Sequence, residues 1–216
     1  MKKFWINAQD KMSCLTHFIG ALFGVAYLVV LQVIAHSHQK NLLTHIGLLV
    51  FALSTIALYS ASSFYHYIDD NASNKEKFRK LDHAMIYILI VGSYTPVCMT
   101  FFQGSSRYIF PIVIWSIAIF GVIAKIFWIN MPRILSTLLY LVLGWSILFD
   151  FNSLMALPSS ITFWLILGGV SYSIGAIIYM IKKPNLSAEW GFHELFHIFI
   201  LLGTFFHFIG YALTIA

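Results

Sequence analysis

The sequence predicts an all-α integral membrane protein, a bundle of seven transmembrane helices. Three observations carry that reading. Of the 216 residues, 60% are hydrophobic and only 10% are charged, against about 25% charged in ordinary soluble domains. The apolar residues fall in long runs, each close to the roughly 20 residues that a helix needs to cross a bilayer. The polar breaks between runs are short, so successive helices must run antiparallel and no soluble domain fits between them. Residues 1–216 therefore read as a single seven-helix transmembrane domain.

The first span covers 13–36. Met1, Lys2 and Lys3 have the charge of a secretory signal. The apolar run from Phe18 to Ala35 is nevertheless long and lacks a small-residue cleavage site, so it reads as a retained span. His36 to Lys40 ends it. The second span, 43–68, stops at the polar stretch Asp69 to Lys80, and the third covers 81–102. Gln103 to Arg107 precedes the fourth, 108–129, and Asn130 to Arg133 precedes the fifth, 134–152. Asn152 to Ser160 leads into the sixth, 161–181, and Lys182 to Trp190 into the seventh, 191–214. No internal repeat or low-complexity tract interrupts the pattern.

Charge sets the orientation. With the N-terminus in the cytoplasm, Lys2, Lys3, Lys11, Lys75, Lys77, Arg79, Lys80, Lys125, Arg133, Lys182 and Lys183 fall inside. Only Lys40 and Arg107, of thirteen Lys and Arg, fall outside. The net charge of +5 thus reflects topology, not nucleic-acid binding, and the partner it implies is the lipid bilayer, as in a bacterial inner membrane. The C-terminus is expected outside. Cys14 and Cys98 form no disulfide framework, because Cys98 lies about 16 residues beyond Asp82, roughly 24 Å deeper along its helix.

Orientation also turns position into depth. His66 ends the second span on the inside, Asp82 opens the third there, and His193 and His197 occupy the first two turns of the seventh. Four metal-site candidates from three helices share one level. His193 and His197, four residues apart, project from one helical face. With His66 they make three nitrogen ligands. Three protein ligands plus water is the arrangement of catalytic zinc. Imidazole favours zinc over magnesium or calcium, with copper, iron and nickel left open. Asp82 is placed to orient or deprotonate the water. Ser62, one turn before His66, is placed to hydrogen-bond the water or a substrate carbonyl. Ionisable groups within spans are costly and tend to be functional. The competing reading of Asp82 is a topology anchor paired with Arg79 or Lys80.

The other candidates have plainer readings. His17, His36, His38, His45 and His83 read as interfacial, and His207, in mid-span, as packed or hydrogen-bonded between helices. Asp150 reads as interfacial at the outer end of the fifth span. Cys98, Met99 and the many Phe residues read as lipid-facing or packing groups. His193-Glu194-Leu195-Phe196-His197 also fits the H-E-x-x-H pattern of zinc peptidases, in which the Glu is the general base. Glu194 is therefore a rival to Asp82, although it projects about 100° away from His193 on the helix. Its alternative role is to stabilise the first helical turn through the dipole.

These residues resemble a known family. Ser62-Ser63-Phe64-Tyr65-His66 is similar to the S-x-x-x-H element of the haemolysin III and progestin/adiponectin receptor family. Leu81-Asp82-His83, with Gly92-Ser93-Tyr94-Thr95-Pro96, is similar to its third-span element. Gly191 to His197 is similar to its H-x-x-x-H element, and Thr16-His17-x-x-Gly20 to the start of bacterial members. The resemblance implies seven helices, a cytoplasmic N-terminus and one zinc held by His66, His193 and His197 plus water, with Asp82 contacting that water. Alkaline ceramidases share the pattern, so the resemblance further implies hydrolysis of a lipid amide and a part in membrane lipid homeostasis. The chain lacks the long cytoplasmic N-terminal segment of the animal receptors, which argues against hormone reception.

The leading expectation is thus a zinc-dependent intramembrane hydrolase of a membrane lipid or lipid-like amide. Asp82 would move the proton from water to the leaving amine, and Ser62 would bind the developing oxyanion. The alternatives are a non-enzymatic lipid sensor with structural zinc, a haemolysin-like pore former, and a protease using Glu194. No charge-lined stripe runs through successive spans, which disfavours the pore.

Overall fold

The computed structural model describes residues 7–69, 71 and 73–216; Lys2 and Lys3, assigned above to the cytoplasm, lie outside them. Its helices are α1 (Lys11–Ser37), α2 (Leu42–Tyr67), α3 (Lys75–Phe101), α4 (Ser106–Phe127), α5 (Arg133–Gly144), α6 (Phe151–Met155), α7 (Ser159–Ile181) and α8 (Phe192–Ile215). No strand occurs among the described residues. Six helices (α1, α2, α3, α4, α7 and α8) are long and apolar enough to span a bilayer, and α5 is a shorter apolar helix. With the short helices of the fifth segment this makes a membrane helical bundle of about seven spans.

Apolar side chains face outward over most of the surface. Phe23, Val33, Ile112, Phe120 and Ile166 are all exposed, which suits contact with lipid and would be an aggregation hazard in water. Around the bundle, α1 packs on α2, α2 on α3, α3 on α5, α5 on α7, α7 on α8 and α8 back on α1. α4 packs on α3 from outside. α3 is the most enclosed of the long helices. α2 approaches α3 closely at Gly47, where a Cβ would lie 2.8 Å from the Pro96 Cα.

Helix ends follow local chemistry. Asn41 caps α2 by accepting the Thr44 N–H at 2.9 Å. α3 starts six residues before the expected span, so the basic stretch Lys75 to Lys80 is helical. Glu76 and Lys80, one turn apart, pair at 3.0 Å there. Contacts gather the basic ends together. Lys75 Nζ donates to the Tyr65 and Ile68 carbonyls at the end of α2, Arg79 reaches Asn130 after α4, and Arg133 reaches the Tyr179 carbonyl near the end of α7. This is the end that the charge bias assigns to the cytoplasm.

The fifth span departs from expectation. In place of one helix over 134–152, α5 stops at Gly144, a single 3-10 turn covers Ser146–Phe149, and α6 follows. A helix of 12 residues is about 18 Å long, short of the roughly 30 Å hydrocarbon core. The break is chemically supported. The Tyr94 hydroxyl donates to the Gly144 carbonyl that the helix leaves free, Trp145 Nε1 donates to Ser173 Oγ at 3.0 Å, and Asp150 caps α6 by accepting the Ser153 N–H at 3.2 Å. Asp150 is thus a helix cap and not merely an interfacial charge. Irregular backbone at membrane depth requires such partners or a polar cavity. The free cysteines Cys14 and Cys98 are both buried, so Cys98 packs inside and does not face lipid.

Gly47→Ala should force α2 from α3 and lower stability by about 1–3 kcal/mol, read as a fall in the thermal unfolding midpoint in detergent. Gly144→Ala, where a Cβ meets no atom within 4 Å, is the control expected to leave the midpoint unchanged.

Candidate metal centre

Two helices supply three imidazoles. His66 is on the last turn of α2, and His193 and His197 are on the first two turns of α8. One ring nitrogen from each lies within 4.8 Å of the others. His66 Nε2 and His193 Nε2 are 3.2 Å apart. In a tetrahedral zinc site with Zn–N of about 2.0–2.1 Å, neighbouring nitrogens stand about 3.4 Å apart. His66 and His197 are buried at 4% and 2% exposure, so water cannot readily screen three lone pairs brought this close. The three histidines can hold a metal ion.

Their outer ring nitrogens support the same assignment. His66 Nδ1 meets Asp10 Oδ2 at 2.9 Å, which makes Nδ1–H the donor and leaves the Nε2 lone pair for an ion. That hydrogen bond holds the Asp10 carboxyl below its usual range, against the opposing effect of burial, so Asp10 remains an acceptor at neutral pH. His197 Nδ1 lies 3.2 Å from Thr16 Oγ1, and Thr16 Oγ1–H donates to the Ser13 carbonyl at 3.0 Å. The Thr16 oxygen is then free to accept from Nδ1–H, which leaves the Nε2 lone pair available to an ion. The donor set and its supporting hydrogen bonds fit a divalent ion of the zinc type.

Asp10 is held in place by the backbone. The Asp10 N–H donates to the His66 carbonyl at 3.0 Å, and the Gln9 N–H to the Tyr67 carbonyl at 3.4 Å. The segment before α1 is thus strapped across the end of α2. Neither Asp10 nor Thr16 emerged as a site residue from the sequence. Asp10 precedes the first span and looks like a solvated charge, and only the strap gives it a role.

His17 is a correction. Expected at the interface, it is 3% exposed and stacks on His197 with centroids 3.5 Å apart and planes 9° apart. Its two ring nitrogens have no hydrogen-bond partner among the described residues. His36 and His38 are exposed at the end of α1, and the half-buried His45 pairs with Gln32 at 2.7 Å. His207 is buried between α7 and α8 against Gly168 and Tyr172.

Asp82 and Ser62 line the same cavity as His66, His193 and His197. Both are buried, and Ser62 Oγ has no hydrogen-bond partner among the described residues. Asp82 is not tied up as a topology anchor: Lys80 pairs with Glu76 and Arg79 with Asn130. Glu194 faces elsewhere. One carboxylate oxygen accepts the N-cap Gly191 N–H at 2.9 Å and so caps the helix start, while the other accepts Ser13 Oγ–H at 2.6 Å. It does not line the cavity.

The cavity holds about 770 Å³. It runs from the histidines past Leu89, Ile90 and Ile200 to Ile147, Leu165 and His207, so its length follows α8 for about 20 Å. Its far wall is the broken fifth span. Pockets of this size hold small amphiphiles.

A polytopic helical membrane protein with a three-histidine cluster at one end and an apolar cavity behind it is the class defined by these features. The chain belongs to the haemolysin III-related family, whose model matches residues 5–208. It is 33% identical over 212 residues to hemolysin-3 of Bacillus cereus, covering 96% of this chain and 94% of that protein. It is 32% identical over 197 residues to a hemolysin-3 homolog of Bacillus subtilis, covering 91% of this chain and 89% of that protein. The apolar helices and these bacterial relatives fit an integral protein of the bacterial inner membrane.

Metal analysis of protein purified without chelator should find one equivalent of bound ion in the wild type and little in His66→Ala or His193→Ala. Asp10→Ala should retain the site but weaken it about 10–100-fold, measured by competition with a chelator. Undiminished affinity would remove Asp10 from the centre.

Proposed function

We propose that the protein is a zinc-dependent intramembrane hydrolase of lipid amides, with its N-terminus and its histidine cluster on the cytoplasmic side. The observation that carries the reading is the opening of three imidazoles onto a cavity that is apolar for most of its length and bears a free serine hydroxyl and a buried carboxylate near the cluster. A site that served only to tie helices together would need neither group.

When bound, a zinc-type ion with an open position supplies Lewis acidity and a water acidified toward neutral pH. The chain supplies the rest. The apolar walls take the acyl chain and exclude bulk water, which strengthens every polar contact near the cluster. Ser62 Oγ–H donates to the carbonyl oxygen as negative charge develops on it. Asp82 accepts the proton that the attacking water loses, and returns it to the amine nitrogen as the C–N bond breaks. Water thus adds its oxygen to the carbonyl carbon and its proton to the leaving group. A membrane-lipid hydrolase would lyse cells by altering their lipids, so the names of the Bacillus relatives do not require a pore.

One observation favours a second reading, a lipid sensor with a structural ion. α2 and α8 share little direct packing beyond the bonds of the Tyr59 hydroxyl to Thr204 and the Ile200 carbonyl, so an ion between them would add a cross-link at the end where the histidines sit. The readings separate at Asp82. Under the hydrolase reading Asp82→Asn retains metal and thermal stability but loses at least about 100-fold in turnover of N-acyl amine lipids. Wild-type protein with full metal occupancy and no turnover of any lipid amide would overturn it.

A further inference from the structure

A cationic cluster faces the same cavity, and the hydrolytic chemistry does not use it. Lys125, near the end of α4, is 1% exposed. Its ammonium has three N–H donors, and the hydrogen bond described for it goes to Ser136 Oγ on α5, at 2.6 Å. Arg79, near the start of α3, gives one Nη2–H to Asn130 Oδ1 at 2.7 Å, while its buried Nε has no partner among the described residues. Arg133, which begins α5, lies over the Tyr179 ring at 4.7 Å and the Phe192 ring at 5.4 Å. All three line the cavity, and Asp82 is the one carboxylate among the described residues that does so.

None of the three cations forms an ion pair among the described residues. A buried ammonium held by a single hydroxyl is an expensive arrangement, because desolvation is not offset by an opposite charge. A role as a strut between α4 and α5 accounts for the Ser136 bond. It does not account for the remaining Nζ donors or for the Arg79 Nε. Arg133 is braced by aromatic faces, which fixes the plane of its donor fork. Ammonium and guanidinium donors converging on one space form the usual recognition set for phosphate and carboxylate.

We infer that the occupant of the cavity is an amphiphile with an anionic headgroup, a phosphate or carboxylate paired with Lys125, Arg79 and Arg133, its acyl chain running toward His207. The inference rests on the reading of the cavity as an acyl-chain site and narrows the substrates to acidic lipids. It also gives the cluster a positioning role, since a headgroup held at α4 and α5 fixes how far the chain slides past the histidines.

The test measures binding, not turnover. Metal-loaded protein in a neutral detergent is titrated with dodecyl phosphate, dodecanoate, dodecanol and inorganic phosphate, and binding is read by thermal shift and native mass spectrometry. Dodecyl phosphate or dodecanoate should bind at least about tenfold more tightly than dodecanol, the effect of one charge-assisted hydrogen bond or more. That preference should collapse in Lys125→Met and in Arg79→Gln, two variants that guard against misfolding of either. It should persist in Lys77→Gln, an exposed charge at the same end of the bundle. Equal binding of dodecanol, or an equal loss of preference in Lys77→Gln, overturns the inference. Inorganic phosphate binding as tightly as dodecyl phosphate also overturns it, since the site would then read a bare anion. Turnover of neutral amides with no anionic preference would leave the hydrolase and remove the cluster's role. A Lys125-dependent preference without cleavage of any amide would do the reverse.

Discussion

His66 and His193 are 127 residues apart in sequence, yet their Nε2 atoms face each other at 3.2 Å, and the rest of the centre is built around that approach. Hydrophobic packing alone gives no reason for it, since three imidazoles brought this close, two of them buried, gain nothing from one another without a cation. The helices that carry them hardly touch. α1 packs between α2 and α8 and supplies the contacts that set their spacing: Thr16 to His197, the His17 ring stacked on His197, and Ser13 to Glu194. The first helix is therefore the wedge of the centre, and the strap at Asp10 ties it to the end of α2. Beyond the histidines, α2 reaches α8 through Tyr59, whose hydroxyl meets Thr204 at 2.6 Å.

The second constraint is the interrupted fifth span. Ile147, Leu148, Leu154 and Met155 of the broken segment line the cavity. Ending α5 at Gly144 creates irregular backbone that needs polar partners, which come from Tyr94 on α3 and Asp150 within the segment itself, while the Trp145 indole is anchored on Ser173 of α7. The centre is thus made by α1, α2 and α8, and the cavity behind it is enclosed by the inner faces of α2 and α8 together with α3, α4, α5 and α7. Asp82 on α3 stands where they meet.

The long spans were legible because each is a local property, an apolar run of sufficient length between polar breaks. The level of His66, Asp82, His193 and His197 was legible as soon as alternating direction was imposed on those runs, and the four-residue spacing of His193 and His197 carries its own geometry. What stayed hidden depends on side chains from elsewhere. The fifth segment is apolar enough to read as one helix. Its break rests on a tyrosine from α3, although Asp150 three residues before Ser153 was a local cap signal. His17 looks interfacial from its place near a span start, and is buried because α8 brings His197 onto its ring and α2 sets Tyr59 against it. Asp10 looks solvated, and becomes a partner of His66 only through backbone bonds to α2. The basic run before Leu81 reads as a loop by its charge, yet Lys and Arg favour helix well enough to extend α3.

The central claim is that three imidazoles from two helices hold one cation. X-ray absorption at the metal edge of the purified, unmutated protein addresses it most directly. The account predicts three imidazole nitrogens at about 2.0–2.1 Å with a light oxygen scatterer completing the shell. A shell containing sulfur at about 2.3 Å, a shell without imidazole scattering, or protein that takes up no metal at all would contradict it.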